Sequence, residues 1–182
     1  MENKKAAEVC AQFHLGDAAK KLLTPEVSAE QYVKLLVQNK QYVDAIRVLA
    51  YALSKQEAIA WANVCARQFS EAHPPDKSAV ALEAVHRWLA DPSDENRRAA
   101  KKAADDAEFN TPAGSAALAV FFSGGSIAPS DMPVTEPHQT MMPNSVFNAV
   151  MLAALSKEPE KAEEKYKAFL AAAQKMSANQ QS

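Results

Sequence analysis

Glycine and cysteine are the scarce residues of this 182-residue chain, with four and two respectively, and aromatic residues make up only 7% of it. Two cysteines in a chain of this length build no disulfide framework, so Cys10 and Cys65 are expected as reduced thiols. No apolar run exceeds seven residues (116–122 and 149–155), against about twenty for a helix that spans a bilayer, so no membrane partner is expected. The charge is nearly balanced: 20 basic and 22 acidic residues leave a formal −2, which gives no global field to attract nucleic acid or an anionic lipid surface. The first residues carry Glu2, Lys4, Lys5 and Glu8 where a secretion signal would hold an apolar core, so the expected location is the cytoplasm.

Strand-like alternation is also missing, and alanine is the commonest residue, which favours helix. Tyr32, Leu35 and Leu36 fall at helical spacing, and after a break at Asn39 and Lys40 the pattern resumes with Tyr42, Ile46, Leu49 and Leu53. Ser54 and Glu57 form an S-x-x-E capping box before the stripe Ala58, Trp61, Ala62, Cys65 and Phe69. Pro74 and Pro75 end that helix and Asp76 caps the next, whose stripe is Ala81, Val85, Trp88 and Leu89. After the break at Asp91, Pro92 and Ser93 comes a small-residue seam of Ala99, Ala100, Ala103, Ala104 and Ala107. Thr111 and Pro112 open a further helix that stops at Gly124 and Gly125. Beyond Asn144, read as a cap, one helix carries Val146, Phe147, Val150 and Leu155, and a last one from about Pro159 carries Tyr166, Phe169 and Leu170. The expected architecture is one all-α domain over residues 1–182, a bundle of about seven to nine helices with a frayed tail at 177–182. The apolar width of the helices holding residues 42–53 and 146–155 makes a homodimer possible.

Residues 126–143 break the pattern. Pro129, Pro133, Pro137 and Pro143 exclude a continuous helix, and a loop this long is usually functional. The loop is therefore the expected partner-binding region, through Phe122, Met132, His138, Met141 and Met142. Arg97 and Arg98, with Lys101 and Lys102, form the densest basic patch; Asp105 and Asp106 stand one turn later to pair with the lysines, and an acidic partner could dock on what remains.

Catalytic chemistry finds little support. Cys10 and His14, one turn apart, make half a zinc site with no second half. His138 among Met132, Met141 and Met142 is a weak soft-metal pattern. The Ser-Gly-Gly-Ser word at 123–126 follows a helix rather than a strand and lacks a phosphate-loop lysine. Asp91, Asp94 and Glu95 cluster where a helix start favours negative charge. No catalytic residue, metal or cofactor is expected.

Three segments, 53–67 (LSKQEAIAWANVCAR), 88–100 (WLADPSDENRRAA) and 110–129 (NTPAGSAALAVFFSGGSIAP), resemble a bacterial family of small proteins of unknown function, often encoded beside type VI secretion genes. The likeness covers about residues 40–155 and departs from the pattern at Ala60 and Ser115, where larger aromatics are common. What the resemblance implies is a setting: a non-enzymatic adaptor or co-chaperone that helps load an effector onto the secreted spike. Its partner would be the effector, the effector's chaperone or a spike-tip protein. The alternative is an immunity or regulatory protein that neutralises a toxin.

Overall fold

Serine and threonine hydroxyls start four of the long helices. Ser28 and Ser54 each make a full capping box, with Gln31 and Glu57, at the heads of α3 (Ala29–Gln38) and α5 (Lys55–Arg67). Ser93 caps α7 (Asp94–Ala107), and Thr111 caps α8 (Pro112–Phe121), with proline at its first position. The computed structural model describes residues 4–68, 77–129 and 131–179. Phe69, Pro74, Pro75 and Asp76, and the tail beyond Asn179, lie outside the described residues. Within them the remaining helices are α1 (Ala6–Cys10), α2 (Asp17–Leu22), α4 (Tyr42–Ala52), α6 (Lys77–Ala90), α9 (Met141–Leu155) and α10 (Ala162–Asn179), the last entered through a 3-10 turn at Pro159–Lys161. The fold is all-α, as expected; two short N-terminal helices, α1 and α2, are additional to the predicted pattern.

The centre of the bundle is α8, apolar almost all round because it is covered on several sides. It packs against α5, α6, α7 and α9, and its residues from Ala113 to Ala117 and Ala119 to Phe121 are buried. The α7 seam approaches it closely through Ala100, Ala103, Ala104 and Ala107, whereas Ala99 faces solvent. On the other side, α4 and α10 close over α5 and α9. Trp61, fully buried, donates its indole N–H to the Phe169 carbonyl at 2.9 Å and ties α5 to α10.

Cations finish several helices. Lys4 Nζ donates to the Ala52 carbonyl at the end of α4 (2.8 Å), and buried Lys165 Nζ donates to the Ala154 and Lys157 carbonyls beyond the end of α9. Most of the apolar width of α4 and α9 is consumed inside the chain, with Val43 and Leu155 left exposed. Tyr42, Ile46, Val48, Leu49 and Tyr51 are buried, as are Val146, Phe147 and Val150, so that width no longer argues for a homodimer.

One boundary differs from the sequence reading. The loop ends at Thr140, and Met141, Met142 and Pro143 form the first turn of α9. Proline is tolerated there because first-turn amides have no intrahelical acceptor to lose. Asn144 is consequently not the cap; its Oδ1 accepts a hydrogen bond from Tyr51 Oη at 2.8 Å.

Candidate partner-binding cleft

The loop after α8 is held by a buried arginine. Arg97 is only 4% exposed because its position on α7, three and seven residues before Ala100 and Ala104, points it at the core. Its Nη1 donates to the Phe121 carbonyl at the end of α8 (2.9 Å) and its Nη2 to the Ser126 carbonyl (2.9 Å). Asp94 Oδ1 receives Nε and Nη2 at 2.9 and 2.5 Å. Arg98 adds Nε to Asp94 Oδ2 (2.8 Å) and Nη1 to the Ala128 carbonyl (3.2 Å). The hydrogen bonds from Arg97 and Arg98 hold the Asp94 carboxyl below its ordinary value.

Gly125 makes room for this clamp. It has φ +65, and a Cβ there would lie 3.1 Å from Arg97 Nη2. The loop is then closed on itself: the Ile127 amide donates to the Thr135 carbonyl (2.8 Å), and Ser126 Oγ accepts from the amides of Ala128 and Thr135. Such a closed surface loop, with its ends together, holds its shape without a helix or strand of its own.

Arg97 is therefore not a partner-facing cation, which corrects the reading of Arg97 as part of a patch open to an acidic partner. Its guanidinium is engaged by Asp94 and by the Phe121 and Ser126 carbonyls. The signal was present in the sequence, since Arg97 shares the helical register of the buried alanines, but its charge suggested the surface. Lys101 and Lys102 do pair with Asp105 and Asp106.

Three of the expected partner-binding residues meet in one place. Phe122, His138 and Met142 line a cleft of about 420 Å³ together with Lys55, Gly124, Gly125, Glu136 and Gln139. Met141 is half-buried in the first turn of α9, and Met132 is 58% exposed on the loop beside Val134 at 78%. Arg98 borders a separate depression with Lys101, Phe121, Ile127 and Pro129.

Lys55, which the sequence reading passed over, brings the cleft its ammonium group. It is the first residue of α5 and exposed, and a Cβ on Gly124 would lie 3.7 Å from its Nζ. No local motif marks it, because it is brought to the Gly124 backbone by the packing of α5 on α8. His138 Nδ1 accepts from the Thr140 amide (3.4 Å) and sits 2.9 Å from Thr140 Oγ1.

The cysteines lie elsewhere. Burial, with the nearby Asp44 carboxylate second, pushes the Cys10 thiol up to about 11, and burial pushes the fully covered Cys65 higher still. Burial therefore favours the protonated thiol at both. Among the described residues no cluster of three or more His, Cys, Asp or Glu side chains is placed to hold a metal, and no helix is long and apolar enough to cross a membrane.

A family model covers residues 32–177, a span that takes in α4 to α9, the clamp and every residue of the cleft. The chain belongs to this family of unknown function (DUF6931). The match is wider at both ends than the resemblance over residues 40–155, and it starts inside α3, leaving α1 and α2 outside. No curated protein and no solved structure matches the chain. Within the matched span, two of the three resembling segments touch through the clamp: 88–100 supplies Asp94, Arg97 and Arg98, and 110–129 supplies the carbonyls of Phe121, Ser126 and Ala128.

Proposed function

We propose that this protein is a non-enzymatic adaptor or co-chaperone that assists effector loading in bacterial type VI secretion. The observation that supports the adaptor reading is the anchored loop. Ser126 and Ala128 at the start of the loop are fastened to α7 by Arg97 and Arg98, yet Met132 and Val134 are offered to solvent at 58% and 78% exposure. Ordering such a segment in the free protein lowers the entropy lost on binding, so apolar side chains on it are used efficiently by a partner. The secretion setting is supported by the resemblance of the three segments alone.

A pull-down with the tagged full chain, from lysate of a strain assembling the secretion apparatus, tests both parts. The wild type is expected to recover an effector, its chaperone or a spike-tip protein. The double substitution Met132→Asp and Val134→Asp is expected to reduce that recovery about tenfold, as removal of central apolar contacts does, with unchanged circular dichroism. Undiminished recovery by the variant would remove the loop from the interface. Recovery of a toxin alone would favour the immunity role.

A further inference from the structure

The cleft beside the loop holds unpaired hydrogen-bond donors. Among the described residues, Lys55 makes no ion pair or hydrogen bond, and the amides of Gly124 and Gly125 have no hydrogen-bond acceptor. His138 turns Nδ1 to Thr140, so Nε2 is the ring nitrogen left for a ligand. Beside Lys55 and the two glycine amides the cleft sets one carboxylate, Glu136, which is itself without a partner among the described residues. Phe122 and Met142 supply the apolar wall. The capping box is not among the free donors, since Glu57 already occupies the head of α5.

A polypeptide C-terminus carries the complementary groups. Its carboxylate accepts from Lys55 and the glycine amides, its last side chain fills the Phe122 and Met142 wall, and its preceding amide N–H donates to Glu136. The cleft adjoins the exposed run from Met132 to Glu136, so the rest of such a chain continues along the loop. We propose that this cleft binds the free C-terminus of the protein partner, with an apolar final residue. The proposal rests on the adaptor reading and names the part of the partner that is recognised.

The probe is a pool of fluorescein-labelled octapeptides, random except for a C-terminal leucine with a free carboxylate, titrated with the full chain and read by anisotropy. The same pool ending in a carboxamide is run beside it. The free-acid pool is expected to bind about tenfold more tightly than the amide pool, the loss typical of one charge-assisted hydrogen bond. Lys55→Ala is expected to abolish that difference and Lys55→Arg to keep it; Lys55 is exposed, and circular dichroism checks the fold of both. Equal binding of the two pools, no binding of either up to millimolar protein, or a free-acid preference that survives Lys55→Ala would overturn the proposal. So would competition by N-acetyl-leucine as strong as by the unlabelled pool, which would make a small carboxylate the ligand. A natural partner lost from the Met132→Asp/Val134→Asp variant but kept by Lys55→Ala would sink end recognition and leave the adaptor reading standing.

Discussion

Arg97 shows how one buried charge organises the region where function is expected. Its fork reaches two carbonyls that no backbone amide serves among the described residues, one at the end of α8 and one in the loop, and its charge is answered by Asp94. The Phe121 ring lies 5.0 Å from the guanidinium carbon and adds a cation–π contact. Arg97→Ala is expected to lose about 3 kcal/mol, because it strands the Phe121 and Ser126 carbonyls that the guanidinium served and empties its buried site. Arg97→Lys should fall between, since a single ammonium does not reproduce the planar fork. Urea unfolding measures the loss, and faster hydrogen exchange at the Ile127 amide, which is bonded to Thr135, would report release of the loop. Unchanged exchange in Arg97→Ala would mean that the Ser126 hydroxyl bonds hold the loop alone.

At the scale of elements, α8 depends on a glycine inside its first turn. Glu108, which ends α7 six residues earlier, has φ 65, and its carbonyl turns back so far that a Cβ on Gly114 would lie 2.0 Å from it. Gly114→Ala is therefore expected to cost about 3 kcal/mol through backbone displacement, read as a shift in the urea midpoint. A glycine in a helix is ordinarily replaced by alanine with a gain, so a stabilised variant would refute the close approach. Most element boundaries were legible: capping boxes, the Thr-Pro start and the Gly-Gly stop are local chemistry. The start of α9 was not. A proline at 143 reads as a breaker in sequence, and its position in the first turn follows only from where the loop delivers the chain.

Across the whole molecule, the segment before the family-matched span is built into the core. Ala6 N–H donates to the Val27 carbonyl and Ala29 N–H to the Lys4 carbonyl, pairing residues 4–6 with 27–29. Buried Tyr32 donates its hydroxyl to the Ala19 carbonyl at 2.7 Å, and Phe13 packs its ring 4.7 Å from that of Tyr51. A chain that begins at Ser28 would uncover Tyr32, Val33 and Leu36 and leave the Tyr32 hydroxyl without its acceptor. Its melting temperature is expected to fall by about 10 °C, at roughly 2–4 °C per kcal/mol for a domain of this size. An unchanged melting curve would show α1 and α2 to be dispensable.

Local patterns determined the all-α class, the stripes of Trp61, Trp88 and Phe169, and the position of the proline-rich loop, because helix propensity, capping and proline sterics act within a few residues. Tertiary structure decided which residues border the cleft. Lys55, Phe122, His138 and Met142 come from three separated stretches, and only the packing of α5, α8 and α9 sets them around one space. Tertiary structure also decided that Arg97 is an anchor rather than a surface charge. A side chain's partners across 24 and 29 residues of sequence are a property of the fold, and the burial of its charge is stable only when those partners are in place.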